Sequence, residues 1–215
     1  MNEIFKIRAS QTGKIMTNAR DRVSMGETAK SYCEEWLKNQ IYGRCKIIDS
    51  KFFDKGNLCE SDAIDFVSAY FPEMPFLIKN EKNYESEYIT GTPDLILADE
   101  VIDIKCPWDY ITFPLFENQL PEKDYYWQLQ SYMDLTGCSK GRVIYVLMDT
   151  PLELIEKEIH FNPECEDEII AYHTYRGIPD KYKVKCFDIQ RNDQDIEAIK
   201  KRVNECREYI NNLQP

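Results

Sequence analysis

The stretch from Asp94 to Lys105 constrains the fold of this chain more than any other. Two apolar runs, each too short for a helix, flank the polar pair Asp99-Glu100. Runs of this length on either side of turn residues are typical of a β-hairpin. With Asp99-Glu100 as the turn, Asp94 lies opposite Lys105 and Ile96 lies opposite Asp103. Because side chains alternate between the two faces of a strand, the three charged groups share one face, within roughly 5–8 Å.

The patterns on either side of the hairpin predict helices and further strands. Helical spacing follows the capping-box pattern Ser24-x-x-Glu27 and continues as far as Gly43. Further helices are predicted over about 56–71, 122–136, 163–175 and 196–210. Strands are predicted over 76–78, 84–90, 94–98, 101–106, 143–148 and 184–189. This order predicts an α/β or α+β fold in which helices flank a central mixed β-sheet.

Length and composition indicate a single folded domain. The 215 residues contain no repeat or linker, so we expect one domain over 1–215, with an N-terminal helical part (1–50), a core (56–150) and a C-terminal strand and helix extension (151–215). The eight cysteines lie at least twelve residues apart, which favours reduced thiols in a cytoplasm over disulfides or an iron–sulfur cluster. No apolar run reaches the ~18–20 residues of a membrane span.

The charge of the chain is unevenly distributed. A net charge of −11 argues against a nucleic-acid partner, since such domains commonly carry a basic excess. Residues 1–50, however, contain nine basic and six acidic residues, a net of +3, so the remainder carries −14. A local basic region permits contact with a phosphate backbone, and a mixed solvated surface is the alternative interpretation.

Glu60 adds a third carboxylate to the pair in the hairpin. On its predicted helix it shares a stripe with Ile64 and Val67, which places it on the buried face, unless the helix is rotated so that Glu60 faces water. A buried carboxylate needs a compensating cation. Together with Asp94 and Asp103, it offers the hard oxygen ligands that Mg²⁺ or Mn²⁺ prefers.

Lys105 completes a set of groups suited to phosphodiester hydrolysis. It lies two residues after Asp103, so its ammonium points to the same face, where it can orient an attacking water and stabilise charge on a phosphate. The alternative is an exposed hairpin face with an Asp94–Lys105 ion pair. The aromatic run at 125–127 likewise has two interpretations, stacking on unpaired bases or packing in the core.

These residues resemble a known family. Pro93-Asp94 followed by Asp103-x-Lys105 resembles the PD-(D/E)XK nuclease motif, in the context of the phage lambda exonuclease and YqaJ-type viral recombinase family. Other matching segments occur in the family's order: residues 7–15, Gly56-x-x-x-Glu60, Lys105-Cys106-Pro107 and Gln128-x-x-x-Tyr132. The resemblance extends from about residue 7 to residue 150.

The resemblance implies a restriction-endonuclease-like core and a Mg²⁺-dependent exonuclease that degrades double-stranded DNA ends, 5′→3′, for phage-type recombination by single-strand annealing. Lys105 would position the nucleophile, and Gln128 would support it or touch the phosphate. The implied ligands of one or two Mg²⁺ or Mn²⁺ ions are Glu60, Asp94, Asp103 and the main-chain carbonyl of Ile104. The implied phosphate or DNA contacts are Ser10 and Tyr132, with Arg8, Lys14, Arg20 or Arg22 in place of an arginine that the family carries upstream.

The family resemblance also implies a homo-oligomer, commonly a trimeric ring, an annealing-protein partner and a place in the host cytoplasm. In a ring, we expect the basic N-terminal part to face the DNA. Two alternatives remain: a PD-(D/E)XK endonuclease or RecB-like repair or adaptation nuclease, and a non-catalytic protein that binds DNA ends.

Overall fold

The central element of the protein is a four-stranded mixed sheet. The computed structural model describes residues 3–21, 23–45, 50–74 and 76–213. The strand order is β4 (Leu95–Leu97), β5 (Glu100–Lys105), β6 (Lys140–Val146) and β7 (Val184–Gln190). β5 and β6 run parallel, whereas the outer pairs are antiparallel. The predicted α+β class with a central mixed sheet is confirmed.

A smaller sheet and a set of helices surround the central sheet. The smaller sheet has the order β1 (Ile7–Arg8), β3 (Ile89–Gly91), β2 (Tyr84–Glu85). The helices are α1 (Thr12–Ile15), α2 (Glu27–Tyr42), α3 (Lys51–Tyr70), α4 (Lys123–Thr136), α5 (Leu152–Phe161), α6 (Glu166–Tyr172) and α7 (Asp193–Asn212). Short 3₁₀ turns lie at Ala9–Gln11, Pro163–Cys165 and Asp180–Tyr182. Within the described ranges, no helix combines the length and apolar character needed to cross a membrane.

Buried apolar side chains cover both faces of the central sheet. The cluster beneath α4 and α7 includes Val101, Leu129, Met133, Val143, Ile199 and Val203. The cluster beneath α3 includes Ala63, Ile64, Val67, Ile102, Ile104 and Ile144. Because side chains alternate along β5, Asp103 and Lys105 share the face of Val101 and are directed towards α4.

The predicted capping box of α2 is wrong, whereas its predicted end is confirmed. The residue before the helix is Gly26, which makes no side-chain cap. Ser24 lies earlier, where its backbone N–H and hydroxyl donate to Asp21. At the other end, Gly43 adopts a φ of +59° and donates its N–H to the carbonyl of Asn39, the conformation that glycine tolerates best.

Three other predicted elements differ in the structure. α3 begins at Lys51, about five residues earlier than predicted. Residues 76–78 form no strand; Phe76 is 91% exposed with a φ of +59°. The strand predicted over 84–90 is a hairpin of β2 and β3, because the Ser86 hydroxyl accepts from the backbone N–H of Ile89 and closes a turn.

The C-terminal part contains one helix more than predicted. The acidic helix predicted over 163–175 is shorter, as α6, and α5 precedes it. A proline at position 151, directly before α5, is a helix-start signal that the sequence analysis did not use.

The hairpin of β4 and β5 is shifted by two residues from its predicted register. Its turn is Ala98-Asp99, in which Ala98 has a φ of +52° and the Asp99 carboxylate accepts from the backbone N–H of Ser139 at 2.8 Å. A shift of two preserves the face of every side chain. Continuing the observed register by one pair places Asp94 opposite Asp103, where Lys105 was predicted.

Candidate active site

A cleft of about 860 Å³ opens where β5 ends, between α3, α4 and the loop that follows β5. The five residues predicted as catalytic all line it: Glu60, Asp94, Asp103, Lys105 and Gln128. They come from α3, the residue before β4, β5 and α4, so the fold brings together groups that are up to 68 positions apart. Apolar side chains from the loop after β5 also line the cleft, including Trp108, Ile111, Phe113 and Pro114.

Asp94 and Asp103 form a carboxylate pair at the floor of the cleft. Asp103 is 1% exposed, and Asp94 Oδ2 accepts from the backbone N–H of Ile104 at 2.9 Å. Burial, reinforced by the neighbouring Asp103 carboxylate, raises the pKa of Asp94 to about 7. The raised pKa of Asp94 reflects a buried carboxylate with a second carboxylate beside it, and a positive partner would offset both effects.

Asp103 is held from two sides. Its Oδ1 accepts from Gln128 Nε2 at 2.8 Å, and its Oδ2 lies 2.7 Å from the Lys105 ammonium. The Gln128 amide also donates to the Tyr132 hydroxyl at 3.1 Å, and that hydroxyl donates to the carbonyl of Thr92 at 3.2 Å. Gln128 and Tyr132, one turn apart on α4, therefore position the Asp103 carboxylate through a chain of hydrogen bonds.

Lys105 lies between this carboxylate and an aromatic ring. Its Nζ is 4.5 Å from the centre of the Tyr125 ring, and its side chain is 22% exposed. Burial alone lowers the pKa of Lys105, but the carboxylates of Asp103 and Asp94 outweigh burial and raise it above its ordinary value. In this arrangement Lys105 is an ammonium group with donors directed to the cleft.

Glu60 approaches the same cleft from α3. Ile64 and Val67 of its stripe are buried, and Glu60 lies at the margin, with its side chain 22% exposed and ion-paired to Lys79. Among the described residues, no three histidine, cysteine, aspartate or glutamate side chains converge closely enough to enclose a metal ion. Glu60 is thus paired with a lysine and, among the described residues, forms no closely spaced group with Asp94 and Asp103.

The donor set at the floor of the cleft fits a divalent cation. Asp94 and Asp103 supply hard carboxylate oxygens. Within the described part of the chain, the buried Oδ2 of Asp103 has no hydrogen-bond partner and only the ion pair with Lys105. A cation between the two carboxylates would compete with Lys105 for this oxygen, and Glu60 could join them only by leaving its lysine partner.

The predicted DNA contacts lie outside this cleft. Tyr132 is 4% exposed, so it supports the site from within. Four other predicted contacts are exposed but do not line the cleft: Arg8, Ser10, Lys14 and Arg20. Lys14 lies 5.6 Å from the centre of the Tyr32 ring. Arg22 lies outside the described residues.

The N-terminal segment is nevertheless attached to the helix of Gln128. The Thr12 and Ser131 hydroxyls are 2.9 Å apart and buried. At Gly91, a Cβ would lie 2.8 Å from Ala9 and 2.9 Å from the Tyr132 ring, so only glycine permits this close approach. The basic N-terminal part is therefore joined to the site through α4 and β3.

Sequence reasoning missed three residues around the cleft. Lys79, the partner of Glu60, lies in a segment with no periodic pattern. Tyr125 was recognised only as part of an aromatic run, and Tyr145 only as part of a strand. The signal for Tyr145 is its position beside Lys105 in the parallel pair of β5 and β6, which the sequence does not reveal.

Neither a protein-family model nor a curated protein matches the sequence. Solved structures do match. The phage-related exonuclease from Haemophilus somnus 129PT is 29% identical over 97% of this chain and 94% of that chain, with a TM-score of 0.84. The alkaline exonuclease from Laribacter hongkongensis is 18% identical over 96% and 88% of the two chains, with a TM-score of 0.68. Its complex with dAMP gives 19% identity, the same coverage and a TM-score of 0.67.

The Haemophilus protein is similar in sequence and fold over almost the whole chain, and the Laribacter protein shares the fold. The motif that begins at Pro93 and ends at Lys105 lies on the two strands that border the cleft. The chain therefore belongs to the lambda-exonuclease-like superfamily of the PD-(D/E)XK fold.

Proposed function

We propose that this protein is a metal-dependent exodeoxyribonuclease that hydrolyses phosphodiester bonds at the ends of double-stranded DNA. The observation that carries the proposal is the cleft in which Asp94, Asp103, Lys105 and Gln128 meet. The exonuclease names of the two similar proteins support the reaction, and the dAMP complex of the Laribacter protein supports a nucleotide-binding cleft.

Asp94 and Asp103 hold one or two Mg²⁺ or Mn²⁺ ions in this proposal, with Glu60 and the carbonyl of Ile104 as further ligands. A divalent cation at this site lowers the pKa of the attacking water and offsets charge on the scissile phosphate. Glu60 is available as a ligand once its ion pair with the half-exposed Lys79 is broken.

The remaining residues act on the water and the phosphate. Lys105 orients the attacking water and balances the negative charge that develops on the phosphate. Gln128 keeps Asp103 in place through its bond to Oδ1, and Tyr132 fixes the Gln128 amide.

The finer features of the proposal follow the family resemblance. They are 5′→3′ digestion, phage-type recombination by single-strand annealing in a host cytoplasm, a trimeric ring and an annealing-protein partner. In such a ring, residues 1–50 face the DNA because they carry a net of +3 in an acidic chain. The 5′-phosphate is bound by Ser10 with basic neighbours from the group Arg8, Lys14 and Arg20.

Digestion of linear duplexes that carry a label at either the 5′ or the 3′ end tests the proposal. With Mg²⁺, wild type should release the 5′ label first and prefer a 5′-phosphate to a 5′-hydroxyl terminus. Asp103→Asn and Lys105→Ala should abolish shortening while duplex binding persists. Undiminished digestion by either variant would contradict the mechanism.

Two further measurements separate the alternatives. Covalently closed circles should resist digestion, and cleavage of circles as fast as linear DNA would indicate an endonuclease. Calorimetric titration with Mg²⁺ should show binding to wild type and weaker binding to Asp94→Asn. Identical titrations, together with an absence of digestion, would indicate a non-catalytic protein that binds DNA ends.

A further inference from the structure

Two tyrosines outside the PD-(D/E)XK motif line the cleft beside Lys105. Tyr145, on β6, is the neighbour of Lys105 in the parallel pair with β5, so both side chains leave the same face of the sheet. Tyr125, on α4, faces both of them. Its ring centre is 4.5 Å from Lys105 Nζ and 6.2 Å from the centre of the Tyr145 ring, at an interplanar angle of 61°.

The Tyr145 hydroxyl is a buried polar group without a partner. Tyr145 is 5% exposed, and within the described residues nothing forms a hydrogen bond with its hydroxyl. The ring itself is fixed, since Phe187 of β7 packs edge-on against it at 5.9 Å. Buried hydroxyls in native structures are nearly always paired, so this one calls for a ligand that reaches it through the cleft.

The charges of the cleft indicate what kind of ligand this is. Its carboxylates repel an incoming phosphate: Glu60, Asp94, Asp103, Glu117 and Glu122. The amide of Gln128 is already committed to Asp103 and Tyr132. Donors near the end of β5 include the Lys105 ammonium and the phenol of Tyr145, which is protonated at neutral pH.

We propose that Tyr145 is a further substrate-binding residue, whose hydroxyl donates to a non-bridging oxygen of the DNA phosphate beside Lys105, and that Tyr125 is a positioning residue for Lys105. This inference rests on the proposed nuclease function and adds a phosphate contact to it. Tyr125 acts through the face of its ring, which holds the ammonium against Asp103 Oδ2 by a cation–π interaction.

Tyr145→Phe tests the phosphate contact because it removes one oxygen and keeps the ring that packs against Tyr125 and Phe187. We expect affinity for a 5′-phosphorylated linear duplex, measured by fluorescence anisotropy with Ca²⁺ in place of Mg²⁺, to fall about tenfold or more, the usual effect of losing a hydrogen bond to a charged group. Tyr175→Phe is the matched control. The Tyr175 hydroxyl is also buried and unpartnered among the described residues, but it lies outside the cleft, so duplex affinity should not change.

An equal affinity of wild type and Tyr145→Phe for the duplex would overturn the phosphate contact, and so would an equal loss in Tyr175→Phe. Failure of the nuclease proposal itself is distinguishable, because wild type would then leave linear duplexes intact in Mg²⁺.

Tyr125→Phe and Tyr125→Leu test the positioning role. Leu removes the ring face, so kcat should fall roughly fivefold to tenfold with little change in KM. Phe keeps the ring face and should restore kcat to near the wild-type value. A loss in Phe as large as in Leu, or a change confined to KM, would overturn this role.

Discussion

Two lysines lie near the end of β5, and their surroundings differ. Lys55, on α3, is fully buried. Its Nζ donates to the carbonyls of Trp108 at 2.9 Å and Met148 at 2.8 Å and to the Thr150 hydroxyl at 2.8 Å. Lys105 has one carboxylate oxygen and one aromatic face beside its ammonium, and it lines an open cleft.

This difference distinguishes Lys55, which connects elements of the fold, from Lys105, whose ammonium faces a cleft that can hold a ligand. The ammonium of Lys55 has three N–H groups and three oxygen acceptors, so no donor is left for a substrate. Its acceptors are uncharged, and burial lowers its pKa. In contrast, the carboxylates around Lys105 outweigh burial and raise its pKa. By this criterion, Lys55 connects α3 to the ends of β5 and β6, whereas Lys105 keeps N–H donors for a ligand in the cleft.

The largest expected effect on activity comes from Lys105→Met. We expect turnover of linear duplex in Mg²⁺ to fall on the order of 10³-fold, about 4 kcal/mol in activation free energy, because a preorganised charge at the phosphate is lost. The free energy of unfolding should fall by less than in Lys55→Met, because Asp103, the partner of Lys105, keeps its hydrogen bond from Gln128. Turnover and urea unfolding of the same preparation check both. A stability loss as large as that of Lys55→Met would break the distinction between the two lysines.

Lys55→Met should lower the free energy of unfolding more than Lys105→Met does, and it should lower turnover less. Removing the ammonium takes away the three hydrogen bonds that it donates to the carbonyls of Trp108 and Met148 and to the Thr150 hydroxyl, so we expect the free energy of unfolding to fall by about 3 kcal/mol. Lys201→Met, in which the replaced side chain is 80% exposed, is the matched control and should change stability by less than about 0.5 kcal/mol. Urea unfolding measures both variants. If Lys55→Met is as stable as Lys201→Met, the buried hydrogen bonds of Lys55 do not stabilise the fold.

Asp94 extends the comparison to the carboxylate side of the site. Its pKa is about 7 in the folded protein and ordinarily 3.8. The folded protein holds this proton more tightly than the unfolded chain does, so its contribution to stability is present below pH 4 and is lost as pH rises to 7. In EDTA, we expect wild type to lose about 4 kcal/mol of unfolding free energy relative to Asp94→Asn between pH 4 and pH 8.

Urea unfolding of both proteins at several pH values in EDTA measures this difference. The amide of Asp94→Asn does not titrate, so its curve supplies the contribution of all other groups. Parallel curves for the two proteins would show that neither burial nor the Asp103 carboxylate raises the pKa of Asp94 in the folded protein.

The residues of the motif could be predicted from the sequence because their arrangement depends on local alternation. The hairpin register was wrong by two residues, yet Asp94, Asp103 and Lys105 kept their common face, since a shift of two preserves parity. Gln128 and Tyr132 share a helix face for a similarly local reason, their spacing of four.

Lys55 could not be predicted because its partners are distant in sequence. Its acceptors Trp108 and Met148 lie 53 and 93 positions away, and the predicted start of the helix at 56 left Lys55 outside it. The capping box failed for a different reason. The backbone N–H and the hydroxyl of Ser24 donate instead to the carboxylate of Asp21, three residues earlier, so Ser24 does not cap the helix. Local sequence patterns identify residues that share one face of a helix or strand. Contacts between different helices and strands depend on the assembled fold.

Lys79 is a third lysine, and it provides the smallest expected effect on stability. It is half-exposed and ion-paired with Glu60, so Lys79→Met should change the free energy of unfolding by less than about 0.5 kcal/mol. Its effect should appear in metal binding instead. Removing the ammonium frees Glu60 for a cation and removes a nearby positive charge, so the Mg²⁺ concentration for half-maximal digestion should fall roughly twofold.

Glu60→Gln separates the two contributions to this change. If Glu60 is a ligand, Glu60→Gln should raise the half-saturating Mg²⁺ concentration, and adding Lys79→Met to it should then lower that concentration by clearly less than twofold, since only the loss of the positive charge remains. A twofold fall in the double variant as well would mean that Lys79 acts only through its charge and that freeing Glu60 does not contribute to metal binding. Lys140→Met, a lysine at the other end of β6, controls for the loss of one positive charge elsewhere and should leave the Mg²⁺ dependence unchanged.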